Sequence, residues 1–367
     1  MKNQIKKVIQ DSLNSQLYRN KAKISASAFF EELKDMELPS LSESEKKKID
    51  KKWSDLPVNV ELGFSAYRVF KMFCGFNENF VPECYFYPYI LRSLNPTNNY
   101  ISLTHKGLLS NLFNGLPTVK SILYKFNSNI TDTDYLPVEN EEIGEILKNH
   151  LGEWVLKPTQ DSNSGHGITF YSPAQIDVLK NEFLQISGSW VIQESLRQSK
   201  FTAQFNPSSL NTFRIESLYI NGRCSICAVV LKIGGENKRV DNGANGSTWV
   251  GVKSDGRLED VGWYISGKMI TKRNGINFKG KIVPNFDQLC EFVKQCHYRV
   301  PSVGFVGWDI GLDAKNHPVI VEANMWWPSV SYPQLCCKKP IFGDRTTEVI
   351  EYVRLNPVEN VCGFRRI

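Results

Sequence analysis

From about residue 150 the chain runs in short apolar stretches separated by glycines and polar turns, the pattern of consecutive strands. "EWVLKP", "SWVIQESL", "TFRIESLYING", "CAVVLKIG", "GFVGWDIGL" and "PVIVEAN" each read as a strand. Helical periodicity intervenes near 173–186 and 285–299, so the expected fold class is mixed α+β. The first half has a different texture. To about residue 55 it is polar and rich in helix formers, and "LSESEKKKIDKKW" reads as a solvated helix face. "CGFNENFVPECYFYPYILRSLNP" is dense in aromatics, broken by Pro82, Pro88 and Pro96, and reads as core packing ahead of a docking surface. "SLTHKGLLSNLFNGLPTV" predicts an amphipathic helix ending at Gly115 and Pro117, with Lys106 near its start.

Composition narrows the class. The 367 residues are 41% hydrophobic and 22% charged, which suits a globular protein of two or three packed subdomains. Lysine and arginine total 44 against 38 acids, and the net charge of +6 suits anionic small ligands at least as well as nucleic acid. No window reaches the roughly 18 apolar residues of a membrane span, and the first residues lack a signal-peptide core. The expected location is the cytoplasm. Nine cysteines, an odd number, fit a reducing compartment. Cys224 and Cys227 lie on a predicted strand, where three-residue spacing turns them to opposite faces, and Cys336 and Cys337 also read as ordinary thiols.

Four places put charge or glycine where packing alone would not. In "WVLKPTQDSNSGHGITFYS" a strand carries Lys157 into a loop with Ser162, Ser164, Gly165, His166 and Gly167. A lysine beside small residues can hold phosphate, although an ordinary hairpin with an exposed lysine has the same pattern. "SWVIQESLRQS" ends a strand at Gln193 and Glu194, either solvated or offered to a purine edge. In "SSLNTFRIESLYING", Arg214 shares a face with Thr212 and Glu216, either as a surface ion pair with Glu216 or as a fixed guanidinium for phosphate or carboxylate. In "VGFVGWDIGLDAKNHPVIVEANMWWP" a hairpin about "DAKNHP" brings Asp309 level with Val321 and Glu322, and Glu322 shares a face with Asn324. Two carboxylates and an amide converging in apolar surroundings suit a hard divalent cation, magnesium above all; unrelated acids at strand ends are the alternative.

The order of these four places resembles the ATP-grasp superfamily, and within it the sugar-transfer-associated ATP-grasp proteins, which are similar to alpha-L-glutamate ligases. The match lies in "SLNTFRI", in "VDNGANGSTWVGV" with the Asp-Gly turn that follows, and in "GWDIGL" followed by "VEAN", over roughly residues 90 to 345. The resemblance implies two α+β subdomains gripping ATP: a helical N-terminal region over 1–90, a preceding segment over 91–150, a central lid subdomain over 151–205 and a C-terminal subdomain with the metal site over 206–367. It implies that Lys106 and Lys157 touch ATP phosphates, that Gly165, His166 and Gly167 form the lid, and that Gln193 and Glu194 sit beside the adenine. Lys157 and Arg214 would be catalytic, with Arg214 on the γ-phosphate and then on the acyl phosphate. Asn242, Asn245 and Ser247 would border the acceptor site, and Asp309, Glu322 and Asn324 would hold one or two Mg2+ ions. Ser195 stands where the family usually has a more aliphatic or aromatic residue, and no acid is matched to the ribose.

The implied activity is an ATP-dependent carboxylate–amine ligase that forms an amide through an acyl phosphate. A sugar carboxylate such as a uronic acid, on a nucleotide- or lipid-linked precursor of a surface or capsular polysaccharide, would be joined to an amino acid or amine. Alternatives are an amino-acid ligase, a small-molecule kinase with a hydroxyl acceptor, and a non-catalytic ATP-binding protein. The implied partners are small molecules, with no nucleic acid and no integral membrane segment.

Overall fold

The structure, a computed structural model, describes residues 16, 20, 33, 36–150, 152–160, 167–236, 239 and 246–357. Helix α1 (Glu43–Trp53) opens with a capping box, in which Ser42 and Glu45 satisfy each other's main-chain amides. Its charged outer face is as expected, but Ile49 and Trp53 are wholly buried on the other, so packing fixes it. After α2 (Phe64–Cys74), the aromatic segment coils through Glu83–Tyr85, the π-helical Phe86–Ile90 and Leu91–Leu94. Phe80, Tyr85, Phe86, Tyr87 and Ile90 pack with Leu218, Ile220 and Phe305 in one core, which matches the packing reading of this segment.

The helix expected across 102–119 is shorter than predicted. Only a 3-10 turn, Lys106–Leu108, and a four-residue helix, Leu109–Leu112, form. The His105 side chain accepts from the amide of Gly107, and the Lys106 amide donates to the Thr159 carbonyl instead of into a helix. Gly115, at φ +83, follows just beyond its end.

Residues 121–194 build an antiparallel five-stranded sheet in the order β2-β1-β5-β3-β4. Its strands are β1 (Ser121–Phe126), β2 (Asn129–Thr131), β3 (Trp154–Pro158), β4 (Thr169–Tyr171) and β5 (Trp190–Glu194). Helices α3 (Ile143–Lys148) and α4 (Ile176–Gln185) bury Leu147, Leu179 and Phe183 against Leu123, Leu156 and Ile192. The larger sheet is also antiparallel, in the order β10-β9-β8-β7-β6-β13-β14. It comprises β6 (Thr212–Ile220), β7 (Arg223–Ile233), β8 (Thr248–Val252), β9 (Leu258–Tyr264), β10 (Met269–Ile270), β13 (Phe305–Leu312) and β14 (Pro318–Asn324). The ribbon of β11 (Lys272–Arg273) and β12 (Ile276–Asn277) stands apart.

Alternation gives the larger sheet two different faces. Phe213, Ile215, Leu231, Val250, Trp308 and Ile310 bury one face against helix α5 (Phe286–His297). The other carries Arg214, Glu216, Lys232, Asp309 and Glu322, then continues into Leu218, Ile220 and Phe305 beneath the N-terminal aromatics. Helices α6 (Ser331–Cys337) and α7 (Thr346–Leu355) follow β14. The backbone of Cys336 lies so close to β8 that a Cβ on Gly251 would stand 2.1 Å from its carbonyl oxygen, so only glycine fits there. Cys224, Cys227, Cys336 and Cys337 are free thiols, as their spacing predicts.

The chain enters and leaves the five-stranded sheet beside the β13–β14 hairpin. Before β1, Val119 donates to Ile320 at 3.0 Å and Ile320 donates to Pro117 at 2.9 Å; after β5, Ser199 donates to Leu312 at 2.9 Å. The hairpin turn is set by Asp313, whose Oδ1 accepts from the amides of Lys315 and His317, with Asn316 at φ 67.

Candidate functional site

Strand register assembles the polar end of the larger sheet. Asp309 lies directly between Arg214 on β6 and Glu322 on β14, and Asn324 stands opposite Gly307 one step along. The Arg214 fork grips Asp309 through Nε and Nη2, both at 2.9 Å, and Asp309 Oδ1 also takes Lys232 Nζ at 3.3 Å. Asn324 Nδ2 donates to Asp309 Oδ2 at 3.2 Å, and Lys106 Nζ pairs with Glu322 Oε1 at 3.0 Å. Burial pushes the Asp309 carboxyl up, but Arg214 and Lys232 outweigh it and hold the group well below the usual carboxylate range. Arg214, 7% exposed, is no surface partner of Glu216: its Nη1 is 3.8 Å from Glu216 Oε1, and its full fork is spent on Asp309.

Lys157 is buried on β3 of the other sheet. Burial pushes its ammonium down to about 8, the charge of Lys106 adds to this and Glu322 opposes it. The Lys106 amide bonds the carbonyl of Thr159 two residues beyond Lys157, so the turn bearing Lys106, strand β3 bearing Lys157 and the larger sheet bearing Arg214 and Lys232 converge on Asp309 and Glu322. Such an excess of buried cations suits a polyanion.

Glu216 is wholly buried, and among the described residues neither oxygen makes a hydrogen bond of ordinary geometry, although the Ser329 amide lies nearby. Burial pushes its carboxyl up to about 8 against the pull of Arg214. At the end of β5, Gln193 is buried and donates to Ser121 Oγ at 3.0 Å, while Glu194 Oε1 takes Lys120 Nζ at 2.7 Å and His150 Nδ1 at 2.8 Å. Burial raises Glu194, but these two partners leave its carboxyl below the ordinary value. Gly167 has φ +76, a conformation that strains any larger residue, and a Cβ there would lie 3.3 Å from Pro158 and Trp190. Ser247 is buried, and among the described residues its hydroxyl has no hydrogen-bond partner. Gly165, His166, Asn242 and Asn245 lie outside the described residues.

Among the described residues no three of His, Cys, Asp and Glu gather in a metal-binding group. The set at the hairpin is two carboxylates and an amide. Asp309 and Glu322 are cross-strand neighbours and all three donors are hard oxygens, which fits magnesium. Lys232 was missed by sequence reading, although a lone lysine near the end of the apolar "CAVVLKIG" strand was its signal.

A polar grip between two antiparallel α+β sheets is the arrangement of an ATP-grasp protein. The chain belongs to the sugar-transfer associated ATP-grasp family, whose profile matches residues 89–349. Comparison with curated proteins finds no match. Among solved structures it is similar to the ATP-grasp ligase PsnB bound to a phosphomimetic variant of its minimal precursor, Mg and ADP, at 13% identity and TM-score 0.42, covering 71% of this chain and 61% of that one. D-alanyl-alanine synthetase A from Vibrio cholerae O1 biovar eltor matches at 12% identity and TM-score 0.42, covering 71% and 67%. VanG D-Ala:D-Ser ligase from Enterococcus faecalis matches at 14% identity and TM-score 0.41, covering 70% and 61%. No helix among the described residues is long and apolar enough to cross a membrane.

Proposed function

We propose that the protein is an ATP-dependent carboxylate–amine ligase. The observation that carries this reading is the meeting of Lys106 and Lys157, from separate elements, with Glu322 beside the Arg214–Asp309–Lys232 cluster. A nucleotide-binding module needs cations for phosphate; it does not need a guanidinium locked onto a buried carboxylate on the neighbouring strand. Membership of the sugar-transfer associated family favours a sugar carboxylate, such as a uronic acid of a surface polysaccharide precursor, with an amino acid or other amine as the second substrate. The proposed lid residues are Gly165, His166 and Gly167, the proposed adenine neighbours Gln193 and Glu194, and the proposed acceptor contacts Asn242, Asn245 and Ser247.

In this reading a substrate carboxylate oxygen bonds to the γ-phosphorus as the bond to ADP breaks. The amine nitrogen then bonds to the acyl carbon, phosphate leaves and the amine sheds a proton. Lys106, Lys157 and Arg214 neutralise the meeting anions. Asp309 and Glu322, with Asn324, would hold Mg2+, which when bound supplies further positive charge at the phosphates.

A phosphate-release assay over amino acids paired with uronic acids or amino-acid carboxylates tests the reading. Phosphate should appear only when amine and carboxylate are both present; phosphate retained on a hydroxyl product would establish a kinase instead.

Lys157 gives a pH test of the same site. Its ammonium titrates at about 8 in the folded protein, against about 10.4 in an unfolded chain. Across that window the unfolded chain binds more protons, so the Lys157 contribution to stability rises with pH. Phosphate binding needs the ammonium and should move the other way. AMPPNP affinity, measured by calorimetry, should fall between pH 7 and pH 9, and Lys157→Met should remove most of that dependence.

A further inference from the structure

Glu216 lies in a notch made by its two cross-strand neighbours, Gly307 on β13 and Ala228 on β7. A Cβ on Gly307 would stand 2.7 Å from Glu216 Oε2, so the missing side chain there is what gives the carboxyl its place. Keeping a fully buried carboxyl with neither oxygen in an ordinary hydrogen bond is costly, and a glutamine or an apolar side chain would fill the volume more cheaply. Among the described residues the group therefore keeps hydrogen-bonding capacity that its present contacts leave unused.

Arg214 is the neighbouring cation placed to use it. Its Nε and Nη2 are spent on Asp309, and its Nη1 stands 3.5 Å from Ser329 Oγ and 3.8 Å from Glu216 Oε1. Asp309 accepts from Arg214 Nε and Nη2, from Lys232 Nζ and from Asn324 Nδ2, which fills the roughly four lone-pair sites of a carboxylate, so a cation that takes both its oxygens must displace the Arg214 fork. Once a cation takes Asp309, the guanidinium loses its main anchor at the moment it is needed on phosphate. Building on the cation-ligand reading of Asp309, we propose that Glu216 is a positioning residue that takes over Arg214 when metal and nucleotide arrive together. It acts as a reserve counter-ion beneath the guanidinium and touches neither substrate nor metal.

The test measures AMPPNP affinity by calorimetry, with excess Mg2+ and with EDTA, for wild type, Glu216→Gln and Glu216→Asp. In EDTA, Asp309 keeps Arg214, and the three proteins should bind within about twofold of one another. With Mg2+, Glu216→Gln should bind about tenfold more weakly than wild type, the size expected for one charge-assisted hydrogen bond. Glu216→Asp keeps the carboxyl but draws it back by one methylene, and should show a smaller loss confined to Mg2+. Should Glu216→Gln fail to fold, as a melting curve would reveal, the aspartate variant decides alone. Equal losses with and without Mg2+ would mark Glu216 as a packing residue and overturn the proposal, as would no loss in either condition or a wild type whose affinity ignores Mg2+. A wild type that binds no AMPPNP at all overturns the nucleotide reading itself, a result distinct from each of these.

Discussion

Asp309→Asn should abolish Mg2+-dependent AMPPNP binding and reduce phosphate release to background, and it should also weaken the fold. Removing this charge strands Arg214 and Lys232, both buried beside it, without their main anion. Breaking a buried ion pair from one side costs about 3–5 kcal/mol. The loss is read as a lower urea midpoint at unchanged slope. A variant that keeps the parent midpoint would show that the two cations do not depend on Asp309; one that keeps Mg2+-stimulated binding would remove Asp309 from the metal set. Both effects appear together because one carboxylate neutralises the resting site and receives the cation.

Arg214→Lys should leave the charge in place and still lower turnover by about 10²–10³, the range for removing one preorganised donor from a developing anion. The reason is geometric. Nε and Nη2 hold two oxygens of Asp309 at once while Nη1 donates to Ser329 Oγ at 3.5 Å, and a lysine has one donor centre on a flexible stem. Steady-state kinetics with the amine and carboxylate pair identified by phosphate release should show kcat falling far more than the ATP KM rises. A kcat within tenfold of wild type would place Arg214 outside phosphoryl transfer.

The pairing of Asp309 with Glu322 was legible in the sequence because a hairpin turn and strict alternation fix register over so short a span. The approach of Lys157 to Lys106 was not. They lie on different elements, tied by the Thr159 carbonyl accepting the amide of Lys106 and by the hydrogen bond between Thr159 Oγ1 and His105 Nε2, long-range contacts with no local signature. The first of these bonds explains why the helix expected around Lys106 is cut short. Lys232 was overlooked because a lysine near a strand end ordinarily runs its stem over the surface, whereas here it points at Asp309 across β6. Glu216 read as a surface partner of Arg214, since its burial depends on a glycine 91 residues away on the next strand. The short β1–β2 hairpin was missed, and so were β8 and β9, where glycine and polar residues blur the alternation.

The bonds from Val119 and Ser199 to the β13–β14 hairpin mean that the five-stranded sheet is hung by both its ends from the strands bearing Asp309 and Glu322. A swing of that sheet about these bonds would turn on the hairpin. Lys157 on β3 would move with it while Asp309, Glu322 and Asn324 stayed on or beside their own hairpin, so such a swing would part the lysine from the carboxylates without spreading the carboxylates themselves.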